Sequence, residues 1–291
     1  MHYHNNMSVK SEITWDWTIG SKTSYWNESF KTLWSYRHFL ASLIRKNFLL
    51  NYQQTILGPA WMIFQPLITL VIYVVVFGKV VRVSTGTAPP VLFYFAGIVL
   101  WNFFSETFAE TSKTFRANAD IFSKVYFPRI IIPISELITN FLRFLIQFFF
   151  LLMIIAFYLV IKKTDLSISA WFFTFPLSVF IVGGIALGMG LIFSVLTAKY
   201  RDMINFSSLI VRLLMFLTPV IYPLGTVSKD LRWIVLLNPL TPLFELFKLA
   251  LLGEGVFAFS QLMYSLIFMF AILTAAILLF NKQGDKLIDV I

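Results

Sequence analysis

Cysteine is absent from the 291 residues, so the chain has no disulfide framework, no thiol nucleophile and no thiolate metal site. Charged residues are scarce, at 13%, and there are only three histidines. His2 and His4 sit near the start and His38 stands alone, which leaves neither a metal constellation nor a nucleophilic triad to assemble. No GxxxxGK[ST] stretch occurs, so the loop whose backbone amides cradle nucleotide phosphates is missing. The first 59 residues are mostly polar and lack the basic flank, apolar core and small-residue site of a cleavable leader. The first apolar stretch is therefore expected to direct its own insertion.

What remains is hydrocarbon. Hydrophobic residues make up 58% of the chain and the mean hydropathy is +0.80, a composition that excludes a soluble enzyme and places the chain among membrane proteins. Six stretches are long enough to cross a bilayer core of about 30 Å as helices: Ala60 to Gly78, Val91 to Phe108, Ile130 to Ile161, Trp171 to Thr197, Met203 to Tyr222 and Phe257 to Phe280. With both termini in the cytoplasm, 14 of the 23 basic residues fall inside and seven outside, while Arg143 and Arg212 lie within spans. The positive-inside rule favours that orientation. The net charge of +9 reflects it too, and no nucleic-acid partner is expected.

A further apolar stretch, Leu231 to Leu252, contains Pro239 and Pro242. Each proline lacks an amide donor and clashes with the preceding turn, so two half-helices that dip in and return are expected. The alternative, a proline-kinked seventh span, would put Lys282 and Lys286 outside, against the charge bias.

Two cytoplasmic elements stand out. Ser29 to Leu50 has helical amphipathicity, with Phe30, Leu33, Trp34, Leu40, Ile44 and Phe48 on one face and Lys31, Ser35, His38, Ser42, Arg45 and Lys46 opposite. Arg37 falls within the apolar face. The helix is expected to lie in the membrane surface, the alternative being an ordinary helix packed on the spans. In the loop after the second span, Asp120 is placed to cap a short helix, Ile121 to Phe127, that Pro128 ends. Phe122, Val125 and Tyr126 are expected to enter a partner's groove, with Lys124 and Arg129 at its rim; the alternative is a loop helix lying on its own bundle.

Glu106, Glu110, Glu136, Arg143 and Arg212 lie in or near spans, where ionised groups must be paired or wet. Arg212 is mid-span, suited either to an anionic substrate group or to an interhelical ion pair. Aromatics reach 18% of residues; rings cover the apolar faces of sugars, but they also belt the interfaces of most membrane proteins.

In this order the motifs WSYRHFL, NYQQTILGPAW, KVYFPRIIIP, AKYRD, LTPVIYP and LNPLTPLFELFK resemble the membrane subunit of type-2 ABC exporters for bacterial surface polysaccharides, the O-antigen, capsule and wall teichoic acid permeases. The resemblance implies an all-α integral membrane fold: six transmembrane helices, an N-terminal amphipathic interface helix, a cytoplasmic coupling helix and a re-entrant helix pair before the last span. In this chain that divides into a tail at 1–28, an interface helix and linker at 29–59, a transmembrane domain at 60–280 and a tail at 281–291. It further implies a homodimer in the bacterial inner membrane, two separate ABC ATPase subunits that bind ATP and magnesium, contact with membrane lipid, and a lipid-linked glycan of the undecaprenyl-diphosphate type as substrate.

Carried onto this sequence, the coupling element is Asp120, Ile121, Phe122, Lys124, Val125, Tyr126, Phe127 and Arg129, with a second contact at Arg201 and Asp202. The conduit aromatics are Trp61, Phe64, Tyr73, Phe77, Phe206, Phe216 and Tyr222, Arg212 is the charge contact, and Asn238, Pro239 and Pro242 form an outer gate. The chain departs from the pattern at Arg45 and Lys46, where an Arg-Asp pair is usual, at Asn51 and Tyr52, where Arg-Tyr is usual, and at Lys248, where arginine is common and bidentate. Exporters of lipid or drug within the same class, and ion-coupled secondary transporters, are the competing readings. The latter usually show internal repeats, and none is evident here.

Overall fold

The computed structural model describes residues 34–50, 53, 55–124, 127–162 and 173–288, and all regular structure among them is helical. That follows from the composition, since a backbone crossing hydrocarbon must satisfy its own polar groups.

Among the described residues five helices are long and apolar enough to cross: Gly58–Val80, Pro90–Thr111, Ile131–Val160, Phe175–Lys199 and Phe259–Gln283. The first comprises α2 (Trp61–Tyr73) continued by a π-helical run, Val74–Val80. The others are α3 (Pro90–Thr111), α6 (Ile131–Val160), α7 (Phe175–Lys199) and α11 (Phe259–Ile288). α8 (Met203–Leu217) is shorter than the stretch read from sequence. Its helix stops where Thr218 turns extended, with ψ at 139°, because the residue before a proline is pushed out of the helical region. The remainder of that stretch, Thr218 to Tyr222, runs as irregular chain.

α9 (Lys229–Leu237) and α10 (Thr241–Leu252) meet at 98° across the Asn238 to Leu240 break, so the proline-broken segment is two half-helices and not a straight span. The backbone groups freed by the break have side-chain partners. Thr241 Oγ1 donates to the Val235 carbonyl (2.6 Å), Tyr264 Oη to that of Leu237 (2.8 Å) and Ser265 Oγ to that of Pro239 (2.7 Å). This is how a broken helix is tolerated at membrane depth.

α3 is the centre of the bundle, contacting α2, α6, α7, α8 and α10. α10 is inserted beside it with eleven of twelve residues buried. Gly97 of α3 allows the closest approach: a Cβ there would overlap the Val220 carbonyl oxygen, so glycine lets the irregular chain after α8 lie directly on the central span.

At one end of the bundle, α1 (Arg37–Leu50) packs against α6. Tyr36, Phe39, Leu40 and Leu43 meet the bundle, and Asn47 Nδ2 reaches Glu136 Oε1 at 2.8 Å. This stripe is rotated from the one read out of the sequence. Leu40 belongs to both, but Trp34 is 71% exposed while Leu43, not assigned to the apolar face, is buried. Phe30, Lys31 and Leu33 lie outside the described residues. The loop between the second and third spans holds α4 (Thr114–Ala117) and α5 (Ala119–Lys124).

Candidate functional site

The first feature is a polar cluster buried between α3 and α6. Arg143, 6% exposed, donates from one terminal nitrogen to Asn140 Oδ1 (2.7 Å), Glu110 Oε1 (3.1 Å) and, more distantly, Glu106 Oε2 (3.5 Å). Asn140 in turn donates to Glu110 Oε2 (2.9 Å). A buried guanidinium is tolerable only when several acceptors replace its water. Glu136, two turns from Arg143 on the same helix, takes its hydrogen bond from Asn47 of α1. The carboxylates at the α1 end of the second and third spans thus tie α1, α3 and α6 together.

The cluster extends to α2 by backbone logic. Pro66 has no amide to give the Met62 carbonyl one turn earlier, and Gln147 Nε2 of α6 donates to that carbonyl instead (3.2 Å). Gln147 Oε1 accepts from Asn102 Nδ2 (3.3 Å). A cleft of about 50 Å³ lies here, lined by Trp61, Gln65, Asn102, Glu106, Arg143 and Gln147 among others. Sequence reasoning named the ionised groups but missed Asn47, Asn102, Asn140 and Gln147. An amide within an apolar run was the available signal.

The second feature is a clamp around Lys248 of α10. Its ammonium, 1% exposed, donates to the carbonyls of Pro219 (2.5 Å) and Val220 (3.4 Å) and sits 3.7 Å from the Phe93 ring centre. Glu245, one turn earlier on α10, accepts from the backbone amides of Leu224 (3.4 Å) and Val256 (3.0 Å). Asn238 Nδ2 donates to Thr218 Oγ1 (2.8 Å), while its Oδ1 accepts the Leu240 amide (3.1 Å). The broken helix and the irregular chain after α8 are therefore one fastened unit. Of the residues expected at the outer gate, Asn238 is buried within it and Pro239 and Pro242 frame the break. Lys248, counted among the outside loop charges in the orientation reading, is a core residue.

The third feature is a lightly packed face on α2 and α8. Trp61, Phe64, Phe206 and Phe216 are exposed, and so is Arg212, which has no ion pair among the described residues. Tyr73 joins the two helices, its hydroxyl 3.7 Å from Met215 Sδ. Tyr73, Phe77 and Tyr94 form edge-on ring contacts, and Tyr222 folds back so that its hydroxyl meets the Phe216 carbonyl (2.9 Å). Tyr73, Phe77 and Tyr222 are thus half-buried packing rings, whereas the other four are exposed, Trp61 and Phe64 edge-on to each other and Phe206 stacked on Phe193 of α7.

The fourth is the loop between the second and third spans, where one expectation is corrected. Phe122 is only 9% exposed, lying nearly parallel to Phe127 (5.7 Å, 15°) and 5.6 Å from Phe115. Phe115 stacks on Phe280 of α11, and Phe127 meets Phe39 of α1 edge-on at 4.9 Å. Phe122 and Phe127 therefore fill the chain's own core instead of offering themselves to a groove, because burial within the bundle is available one turn away. α5 runs from Ala119 to Lys124 with Asp120 in its first turn, exposed, and not at its cap. Ile121 and Arg129 are half-buried, and Arg201 and Asp202 are exposed in the turn before α8. Val125, Tyr126 and the Lys124 side chain lie outside the described residues. The exposed groups at this end include Lys113, Arg116, Asp120, Lys199, Arg201 and Asp202, with Tyr200 exposed among them.

The profile of the ABC-2 type transporter family matches residues 38–252, from α1 to the end of α10. The chain belongs to the ABC-2 type transporter family. Curated relatives carry the name O-antigen export system permease protein RfbA. One from Klebsiella pneumoniae is 28% identical over 254 residues, 87% of this chain and 94% of the relative. A second from the same species is 29% identical over 201 residues, 69% and 75% of the two chains. A third, from Myxococcus xanthus, is 28% identical over 216 residues, 73% and 80%. As an ABC-2 membrane protein the chain is a multi-pass transport subunit, and the family implies an ABC ATPase as its partner. The polar cluster, the Lys248 clamp and the open α2–α8 face all fall within the matched residues.

Proposed function

We propose that this chain is the membrane subunit of an ATP-driven exporter that moves a lipid-linked polysaccharide, of the undecaprenyl-diphosphate type, out through the bacterial inner membrane. Two copies pair with two ABC ATPase subunits, both termini facing the cytoplasm. The observation that carries this reading is the open α2–α8 face: it bears exposed aromatics and an exposed arginine at membrane depth, where polar and charged side chains face protein or water and not lipid. Two copies placed with these faces opposed enclose a path with Trp61, Phe64, Phe206, Phe216 and Arg212 on its wall. The names of the curated relatives support a glycan as cargo.

Force from the ATPases arrives at the loop holding α4 and α5. Since Phe122 and Phe127 are locked into the core shared by α1, α5 and α11, a push on the charged surface at Asp120, Arg129, Arg201 and Asp202 moves the interface helix and the last span with it. At the outer end the α9–α10 break, with Asn238, Pro239 and Pro242, closes the path at rest and shifts together with the chain fastened by Lys248.

The test is co-purification from membranes with an Asp120→Arg, Arg201→Glu double variant beside the wild type. An ATPase subunit is expected with the wild type and lost from the variant, with lipid-linked glycan accumulating inside the cell. If no ATPase accompanies the wild type, or if export survives ATP depletion and stops only on proton uncoupling, the reading fails.

A further inference from the structure

α7 carries glycine where it meets two of its neighbours. A Cβ at Gly184 or Gly188 would overlap Met269 or Ile272 of α11, and one at Gly183 would crowd Phe103 of α3. With only hydrogens there, α7 lies directly on α11 and α3, while it touches α6, the span that precedes it in the chain, at few points. α6 and α7 meet where Phe148 stacks on Phe175, 4.9 Å between ring centres. From there they separate. As consecutive spans they run in opposite directions, so moving along α7 from Phe175 to Leu187 matches moving back along α6 from Phe148 to Leu137. Leu137 and Leu187 both line a groove of about 510 Å³ between the two helices.

Every side chain lining this groove is apolar. Phe103 and Phe144 are buried at its floor, 5.4 Å apart, and Phe141, Leu145 and Phe180 are exposed along its mouth. The mouth is continuous with the lipid-facing surface of the two spans, where Leu142, Phe149 and Leu177 are also exposed. None of the lining comes from α2 or α8.

An apolar space of this size does not stay empty, because its walls would forfeit their contacts, and water would find no partners in it. At 1.5 Å per residue the walls are about 17 Å long, which makes the groove about 30 Å² in average cross-section. A helix, about 10 to 12 Å across with its side chains, needs roughly three times that area. A sugar or a headgroup would lose its hydrogen bonds without replacement. One extended hydrocarbon chain fits, and a bilayer presents such chains at the mouth.

We propose that the groove between α6 and α7 holds one acyl chain of a membrane phospholipid. The chain fills the wedge between the third and fourth spans and backs Phe144 and Phe103, whose neighbours in the sequence, Arg143 and Asn102, belong to the polar cluster. This requires only that α6 and α7 cross the membrane, and it holds whatever the cargo is.

The test uses the full chain in vesicles of phosphatidylethanolamine and phosphatidylglycerol, with a phosphatidylglycerol that carries a diazirine midway along one acyl chain. After photolysis the labelled residues are located by mass spectrometry. Groove residues of α6 and α7 should label about tenfold more than Ile267 and Phe270, which are exposed on α11 beside the lining residue Met269 and report ordinary lipid at that depth. Labelling within about twofold of those two positions overturns the proposal.

A ring built into the groove should exclude the chain. Ile138→Trp and, at the exposed rim, Leu145→Trp are expected to lower the groove label about fivefold, whereas Leu142→Trp, exposed on the same helix outside the groove, leaves it unchanged. If both groove variants are folded and label as the wild type does, no chain sits there. Removal of the label by excess undecaprenyl phosphate, but not by excess phosphatidylglycerol, would assign the groove to an isoprenoid and overturn the phospholipid.

Discussion

The first two spans lie side by side, and the more apolar of the pair is the less buried. Of the most apolar stretch of Gly58–Val80, 17% is buried within the chain, against 78% for Pro90–Thr111. In water the order would be reversed. In a bilayer the surroundings are as apolar as the core, so hydrophobicity does not decide which helix goes to the centre. Polar groups decide it. α3 carries Asn102, Glu106 and Glu110, which need partners, and α6 supplies Arg143, Asn140 and Gln147; α2 makes few such demands and is left on the outside with its rings and valines exposed.

Substitutions along the two spans can break or sharpen that contrast. The largest effect is expected at Arg143→Ala, which leaves Glu106 and Glu110 without their guanidinium. A loss of about 3 to 5 kcal/mol should appear as little folded protein by size exclusion in mild detergent, and a near-normal yield would show that the cluster does not hold α3 in place. Next is Gly97→Ala, whose methyl must push the Val220 carbonyl off the central span; overpacking of this kind costs about 1 to 3 kcal/mol and should lower the melting temperature.

Lys248→Met keeps the length of the side chain and removes the ammonium from the Pro219 and Val220 carbonyls. A cost of about 1 to 2 kcal/mol is expected, with proteolysis between Thr218 and Leu224 as the site-specific readout. The smallest effect is expected on α2. Val71→Ala and Ile72→Ala, both on its exposed face, should stay within about 0.5 kcal/mol of the wild type. A larger loss in dimer-forming conditions, absent on dilution, would show that a second copy covers this face.

The loop between the second and third spans shows how a side chain in a correctly placed element can face the other way. Ile121 to Phe127 reads as a short helix stopped by proline, and a helix is there, described from Ala119 to Lys124. Its aromatic residues were legible as apolar but not as inward-facing, because the partners that stack on them, Phe39, Phe115 and Phe280, come from distant parts of the chain. The interface helix repeats the lesson. Its amphipathic period was readable, whereas the stripe that packs on the bundle had to be set by Asn47 meeting Glu136 and Leu43 entering the shared cluster. Lys248 is the sharpest case, since a lone lysine in an expected half-helix gives no hint that two carbonyls and a ring enclose it.

By itself the sequence determined the membrane class, the positions of the long spans, the proline break at Asn238 to Leu240 and the family, because each rests on local composition or on ordered motifs. Only the tertiary structure decided which span sits at the centre, which charges pair, and which side chains enclose the buried Lys248. In hydrocarbon those choices follow from where hydrogen-bonding groups on separate helices can satisfy one another, and that is a property of pairs far apart in the chain.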